Sequence, residues 1–277
     1  MTSAALVQLV FVPGSCSTGA AWRPVMAALG QPFRCVTTSL LGYGGTSERR
    51  AAGDCCIRHE VDALETVVRR AASPVHLVGH SFGGLVAIAL AMHHRVPLAS
   101  LTVLEAPAVE LLRHREADQH HYRDFRAMTD HYFAAFAGGD AEAIGRMIDF
   151  YGGPGTFASW PQRVKAYAMK TTAVNIRDWA SAFGFALSPA AIGSIDVPCL
   201  VVWGQRSHPA ARRANALLGG SLRVSTSLEL TGAAHFMIAT HAQELARVIA
   251  DHVLQVEAMG IGMAPRPVPP VPCAPGA

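Results

Sequence analysis

The 277-residue chain has few charged residues and no block of charge of one sign. Asp, Glu, Lys and Arg make up 16% of the sequence, and 23 basic residues against 20 acidic ones give a formal net charge of +3. Such a small excess, spread along the chain, gives no reason to expect a nucleic-acid partner. With 51% hydrophobic residues the chain also has enough apolar material for a large folded core.

Long hydrophobic runs and closely spaced cysteines are also missing. No stretch approaches the roughly 18 uninterrupted apolar residues that a membrane-spanning helix needs, and no basic region precedes the first apolar run. The six cysteines are too sparse for a disulfide framework and lack metal-ligand spacing. These absences predict a cytoplasmic protein without membrane association.

What the sequence does contain is an alternation of short apolar runs and longer helical patterns. The alternation predicts an α/β fold, a doubly wound and mostly parallel sheet with helices on both faces. The first five runs are almost continuously apolar, which is typical of parallel strands covered on both faces. Candidate strands cover residues 6–12, 33–38, 75–79, 101–105, 199–203 and 223–230, and candidate helices cover 20–29, 55–72, 82–94 and 240–257.

The alternation stops after residue 107. Residues 108–194 contain no convincing strand and are rich in Arg, His, Tyr, Phe and Ala at helical spacing. They are expected to form an inserted helical cap, while residues 1–107 and 195–260 form the core. A Gly-Gly-Pro-Gly turn signal divides the insertion at 152–155.

Two segments of unusual composition have simple explanations. The charged stretch 113–126 is typical of a solvated helix face, so its histidines do not indicate a metal site. Residues 261–277 are expected to form a disordered tail, because six of the 17 prolines fall within the last 14 residues and proline excludes a lasting helix or interior strand.

A glycine-rich serine motif follows the third candidate strand. Residues 79–83 read Gly-His-Ser-Phe-Gly, Gly84 comes next, and an apolar helical run begins directly after it. G-x-S-x-G alone also occurs in ordinary glycine-rich turns. Between a strand and a helix it is typical of a nucleophile elbow, in which a strained turn exposes the serine beside the N–H groups of a helix N-terminus. The pattern predicts Ser81 as a nucleophile and His80 as a packing or hydrogen-bonding residue.

Five short segments, in this order, resemble the α/β-hydrolases that carry a helical cap. The resemblance covers most of residues 6–257 and implies the α/β-hydrolase fold, although one fold hosts many reactions. The segments are Phe-Val-Pro-Gly-Ser at 11–15, Leu-Gly-Tyr-Gly-Gly-Thr-Ser at 41–47, the serine motif at 79–84, Val-Trp-Gly at 202–204 and Thr-Gly-Ala-Ala-His at 231–235.

The resemblance implies two backbone donors for an oxyanion hole. In the family the loop after the first strand usually reads His-Gly-x, and the N–H group of x acts together with that of the residue after the nucleophile. Here the loop reads Pro13-Gly14-Ser15. Because the donor belongs to the backbone, a missing histidine need not disable it. The expected donors are Ser15 and Phe82, with Cys16 as the alternative to Ser15.

The resemblance also implies the base, His235 in the loop after the last strand, but the chain departs from the family at the acid. The commonest pattern has an aspartate where this sequence has Ser207, and no carboxylate occurs between Asp196 and Glu229. Some α/β-hydrolases, including a branch of the haloalkane dehalogenases, take the acid from the strand after the nucleophile strand. That strand ends at Glu105, which would orient His235 and stabilise its imidazolium.

Together these residues predict a serine hydrolase that cleaves an ester or related small acyl compound through an acyl-enzyme, with no cofactor and no metal. Carbon–carbon bond hydrolases, thioesterases, lyases and acyltransferases use the same groups. A second hypothesis, motivated by the missing acid at position 207, is a ligand-binding protein that kept the fold without turnover. It would then resemble some plant hormone receptors of the family. Aromatic residues of the cap are expected to line the pocket, namely Phe133, Phe136, Tyr151, Trp160 and Trp179.

Overall fold

The structure is a computed structural model and describes residues 6–30, 32–51, 53–71 and 74–260. The proline-rich tail predicted at 261–277 lies outside the described residues. The six strands are β1 Val7–Val12, β2 Phe33–Thr37, β3 Val75–His80, β4 Leu98–Leu104, β5 Cys199–Gly204 and β6 Ser225–Leu230. They form one sheet in the order β2-β1-β3-β4-β5-β6, and all its pairings are parallel. The predicted doubly wound α/β fold is confirmed.

Four of the described α-helices lie where the sequence predicts helices, and most of the others belong to residues 108–194. Two short 3₁₀ turns, Gly19–Trp22 and Glu116–Asp118, precede α1 and α5 respectively. The α-helices are α1 Arg23–Leu29, α2 Arg58–Val68, α3 Phe82–His93, α4 Glu110–Arg113, α5 Gln119–Ala137, α6 Ile144–Gly152, α7 Thr156–Ser159, α8 Gln162–Lys170, α9 Thr172–Gly184, α10 Pro189–Ile192, α11 Pro209–Ser221, α12 Met237–Thr240 and α13 Ala242–Ala258.

The sheet separates two apolar layers. Alternate residues of a strand point to opposite faces, so that Leu9 and Phe11 of β1 pack with α1 and α13, whereas Val10 and Val12 pack with α2 and α3. Helix α3 is buried over almost its whole length. Because helices pack on both faces, the strands are held in place, and so are the starting points of the loops that leave their carboxyl ends.

Two expectations about the core differ from the structure. The prediction that the first five runs are covered on both faces is wrong for β2, because this strand lies at the edge of the sheet and none of its five residues is fully buried. Helix α11, which connects β5 to β6, was not predicted from the sequence. Its signal was present, since Pro209 stands at the first helical position, where proline is favoured.

Residues 108–194, called the helical segment below, connect β4 to β5. They contain α4 to α10 and no strand among their described residues. The predicted turn at 152–155 lies between α6 and α7, with Gly153 and Gly155 at positive φ. The division into core and cap stays a prediction. In the part of the chain that the structure describes, no helix is long and apolar enough to cross a membrane.

Candidate active site

Ser81 stands on a strained turn between β3 and α3. Its φ of +54° is a left-handed conformation that residues with a side chain rarely adopt. The Ser81 N–H donates a hydrogen bond to the Leu104 carbonyl oxygen at 2.9 Å, which ties the start of the turn to the end of β4. Close backbone approach explains the glycines, because a Cβ on Gly79 would lie 2.6 Å from the Gly83 carbonyl oxygen and one on Gly83 would overlap the Pro13 carbonyl oxygen. The motif therefore folds as the strand, turn and helix that its pattern predicts.

The structure brings Ser81, His235 and Glu105 into one chain of contacts. His235 Nε2 lies 3.0 Å from Ser81 Oγ, and His235 Nδ1 lies 2.8 Å from Glu105 Oε1. The three residues follow β3, β6 and β4, so the site lies at the carboxyl ends of the strands. Ligand sites of open α/β sheets lie at this edge. This geometry allows the imidazole to accept the serine proton while the carboxylate fixes its orientation.

The second oxygen of Glu105 is held by the loop that lacks an acid. Glu105 Oε2 accepts hydrogen bonds from the Gly204 N–H at 3.0 Å and from the Ser207 hydroxyl at 2.5 Å. Ser207, which replaces the aspartate of the commonest pattern, thus donates to the relocated carboxylate. This contact was not predicted, because nothing local in the sequence links positions 105 and 207.

The backbone at Glu105 is also fixed. Glu105 has a φ of +48° and is fully buried. Asn215 of α11 donates to the Ala106 carbonyl oxygen and accepts from the Ala106 N–H, both at 3.0 Å. Because α11 was not predicted, this contact was missed as well.

Two rings enclose the His235 imidazole. Tyr151 stacks on it with 4.0 Å between ring centroids, and His80 lies against it at 4.8 Å. His80 Nε2 is 2.9 Å from the His235 carbonyl oxygen. Burial, followed by the charge of His235, lowers the pKa of His80 to about 3. His80 is therefore neutral at neutral pH and puts no second positive charge beside His235.

The candidate oxyanion donors lie near Ser81. The loop after β1 passes so close that a Cβ on Gly14 would lie 2.8 Å from Ser81 Cβ. In the described part of the chain, the N–H groups of Ser15 and Cys16 donate to no backbone carbonyl oxygen. Phe82 is the first residue of α3, where N–H groups have no acceptor within the helix. Ser15 therefore stays the expected backbone donor from this loop, with Cys16 as the alternative.

A cavity of about 550 Å³ opens above the serine. Three of the five aromatic residues expected from the sequence line it, namely Tyr151, Trp160 and Trp179. The other two, Phe133 and Phe136, are not among its described lining residues, and Phe136 is 37% exposed. No group of three or more His, Cys, Asp or Glu side chains suited to a metal ion occurs in the described ranges.

Asp178 also lines this cavity, although it was not predicted as a site residue. It lies on α9, is 1% exposed and accepts hydrogen bonds from Ser15 Oγ, Tyr43 Oη and Arg50 Nη1. Its partners are 128 to 163 residues away in the sequence. No spacing rule connects positions so far apart.

Comparison with known proteins agrees with this architecture. Residues 9–248 match the model of the alpha/beta hydrolase family. The chain belongs to this family. The family resemblance inferred from the sequence is thereby confirmed, and the protein is an alpha/beta hydrolase.

Individual relatives are more distant. This alpha/beta hydrolase is 34% identical over 100 residues to pimeloyl-(acyl-carrier protein) methyl ester esterase of Vibrio cholerae, a match covering 36% of this chain and 37% of that protein. The matches span about a third of the length of the curated relatives.

Solved structures resemble the chain over a larger share of its length. MenH from S. aureus has a TM-score of 0.73 at 12% identity and covers 92% of this chain and 96% of its own. The enol-lactonase from Burkholderia xenovorans has a TM-score of 0.67 at 17% identity and covers 92% and 94%. At such identities these likenesses concern the fold alone.

Proposed function

We propose that this alpha/beta hydrolase is a serine hydrolase that cleaves a carboxylic ester through a covalent acyl-enzyme. The observation that carries the proposal is the continuous contact from Ser81 through His235 to Glu105 beneath a largely apolar cavity. The esterase named among its relatives supports the reaction class. The cytoplasmic location stays a prediction.

The reaction follows from the geometry in two steps. Ser81 Oγ attacks the ester carbonyl carbon while His235 Nε2 takes the serine proton, and the carbonyl oxygen becomes an oxyanion facing the N–H groups of Ser15 and Phe82. Collapse breaks the bond to the alkoxide, which leaves with the proton from His235. His235 then deprotonates a water molecule, which attacks the acyl-enzyme, and the carboxylic acid and the free serine result.

The cavity indicates the kind of ester. It is lined mainly by apolar and aromatic side chains, including Met147, Ile148 and Trp160. Its buried acid, Asp178, already accepts three hydrogen bonds. A small substrate with an apolar acyl or alkyl group fits these surroundings best.

The alternative of a ligand-binding protein without turnover has less support than the sequence alone gave it. It was motivated by the missing acid at Ser207, and Glu105 now stands at hydrogen-bond distance from His235. Carbon–carbon bond hydrolysis, thioester hydrolysis, lyase chemistry and acyl transfer would use the same three residues, so substrate trials distinguish them.

Labelling with a fluorophosphonate, followed by measurement of the intact mass, tests the proposal. We expect one adduct on the wild-type protein and none on Ser81→Ala, because the nucleophile has no substitute. In a panel of p-nitrophenyl esters of increasing acyl length, the same variant is expected to lower kcat by at least about 10³. Labelling retained in Ser81→Ala would contradict the assignment.

A further inference from the structure

The oxyanion loop, residues 13–17, is tied to the helical segment by one buried carboxylate. The Ser15 hydroxyl donates to Asp178 Oδ2 at 2.6 Å. Tyr43 donates to the same oxygen at 2.7 Å, and Arg50 Nη1 donates to Oδ1 at 2.8 Å. Asp178 therefore joins α9 to two loops of the core, those after β1 and β2.

Charge and burial make this contact rigid. The Arg50 side chain is fully buried between Asp178 and Glu48, and Arg177, the neighbour of Asp178 on α9, lies 3.6 Å from Glu48. Hydrogen bonds to ionised groups are stronger than neutral ones, and their geometry is better defined. Arg50 and Tyr43 thus hold the Asp178 carboxylate in place independently of Ser15.

The loop itself has a conformation that needs support. Cys16, next to Ser15, has a φ of +57°, which costs energy in a residue with a side chain. Burial raises the pKa of the Cys16 thiol to about 12, so the thiol is neutral and supplies no charge to the site. The Ser15 hydroxyl proton is directed at Asp178, so the side chain of Ser15 is not free to serve as an oxyanion donor.

We propose that Asp178 is a positioning residue for the oxyanion hole. Its carboxylate fixes the Ser15 hydroxyl, and this contact holds the Ser15 N–H toward the place where the oxyanion forms. The inference rests on the proposed function, because only a reaction with an oxyanion needs this donor. Because Asp178 lies on α9, the rate of the reaction would also depend on the position of α9 relative to the loops after β1 and β2.

Such a contact stabilises the transition state more than it stabilises the bound substrate. A donor displaced by a few tenths of an ångström binds a neutral carbonyl about as well as before, but it stabilises the developing charge less. Losing the contact should therefore lower kcat more than it changes KM. Binding of a boronic acid, whose tetrahedral adduct with Ser81 carries an anionic oxygen, should weaken in parallel.

A double-mutant cycle on the full chain tests this inference. Ser15→Ala keeps the backbone N–H and removes only the hydroxyl, and Asp178→Asn keeps the size of the side chain and removes its charge. For a p-nitrophenyl ester we expect each single variant to lower kcat by about 10- to 100-fold with KM within about threefold. Phenylboronic acid inhibition should weaken by a similar factor. Adding Asp178→Asn to Ser15→Ala should cost less than about threefold more, because both changes break the same contact.

Asp118→Asn is the matched control. Asp118 is also a buried acid of the helical segment, and Arg213 of α11 donates to its two carboxylate oxygens at 2.7 and 2.9 Å, with no contact to the oxyanion loop. This variant should keep kcat within about twofold even where its thermal midpoint falls. An equal loss of kcat in Asp118→Asn would overturn the inference, because it would attribute the effect to loosening of the segment in general.

The remaining outcomes also decide between the two claims. Additive losses in the cycle, or full kcat in Ser15→Ala, overturn the positioning role while wild-type turnover still supports the proposed function. If Asp178→Asn fails to fold, Ser15→Ala decides alone through its kcat and its boronic acid affinity. A wild-type protein without ester turnover or fluorophosphonate labelling would overturn the proposed function, and the inference with it.

Discussion

At the residue scale, the candidate acid Glu105 follows β4, whereas the commonest family pattern has an aspartate at position 207, after β5. Glu105 reaches His235 Nδ1 with one oxygen and takes the Ser207 hydroxyl and the Gly204 N–H on the other. β4 and β5 are adjacent and parallel, so residues just beyond their carboxyl ends lie close together. A carboxylate at either position can therefore point at the same imidazole nitrogen.

Replacing Glu105 by Gln tests the relocated acid. The variant keeps the size of the side chain but lets His235 adopt the other tautomer and removes the charge that stabilises its imidazolium. We expect kcat for an ester substrate to fall by about 10²- to 10⁴-fold, with fluorophosphonate labelling slowed in proportion. Ser207→Ala removes one of the hydrogen bonds to Glu105 and should cost no more than about tenfold. Near-full activity of Glu105→Gln would make Glu105 structural.

Local pattern and the family resemblance predicted the candidate reacting residues but not the residues that contact them from distant parts of the sequence. Ser81 stands in a motif whose glycines are dictated by close backbone approach. Glu105 was implied by those family members that take their acid from the strand after the nucleophile strand, once no carboxylate was found near Ser207. Asp178 and Asn215 act across more than 100 residues of sequence. Their partners are determined by how α9 and α11 pack on the sheet, and hydrophobic periodicity carries no information on that packing.

At the scale of elements, burial explains which strands the sequence describes well. Runs in the middle of the sheet, such as β3 and β4, are buried at every position and consist mostly of apolar residues. β2 is at the edge, where the polar side chains of Arg34 and Thr37 are tolerated. Its polar residues could have indicated its position, since an edge strand has solvent where a central strand has a neighbour.

The elbow between β3 and α3 gives an element-scale prediction. A methyl group at Gly79 would meet the Gly83 carbonyl oxygen at 2.6 Å and Gly84 Cα at 2.7 Å, so strand and helix must separate. We expect Gly79→Ala to destabilise the fold by about 1–3 kcal/mol, to lower the thermal midpoint by about 3–10 °C and to reduce ester turnover.

Gly220→Ala is the control for that substitution. Gly220 lies near the exposed end of α11 with no atom within 4 Å of the added carbon, and alanine is favoured over glycine in a helix by roughly 0.5–1 kcal/mol. The thermal midpoint of Gly220→Ala should equal that of the wild type or lie slightly above it, and the variant should keep full ester turnover. If Gly79→Ala behaved in the same way, the elbow would not need a residue without a side chain.

At the scale of the whole molecule, the junction between core and helical segment holds more buried acids than bases. Arg50 faces Glu48, Asp178 and Glu60, and Glu60 also accepts the Leu41 N–H with both oxygens at 3.2 Å. Burial, followed by partly compensating charges and hydrogen bonds, raises the pKa of Asp178 to about 6. Burial and then the charge of Asp178 raise that of Glu60 to about 8. The folded protein therefore retains protons here that the unfolded chain has lost.

This retention makes stability depend on pH in a direction opposite to that of an ordinary ion-paired acid. Glu60 ionises near pH 4.5 in the unfolded chain and near pH 8 in the folded protein. Between these values the folded state binds the extra proton, so the free energy of unfolding falls as pH rises, with a slope of at most about 1.4 kcal/mol per pH unit for one group. Glu60→Gln keeps an acceptor for the Leu41 N–H and cannot ionise.

We therefore expect Glu60→Gln to become more stable relative to the wild type as pH rises from about 5 to 8, and the difference to level off above pH 8. Urea unfolding at unit intervals between pH 5 and 9 measures it, and Glu142→Gln, at an exposed position of the helical segment, gives the baseline for removing one carboxylate. Asp178 is present in both proteins, so the difference reports the titration of Glu60, including the part of its raised pKa that comes from the charge of Asp178. A difference that stayed constant across this range would mean that Glu60 is ionised in the folded protein and that Arg50 neutralises the whole cluster.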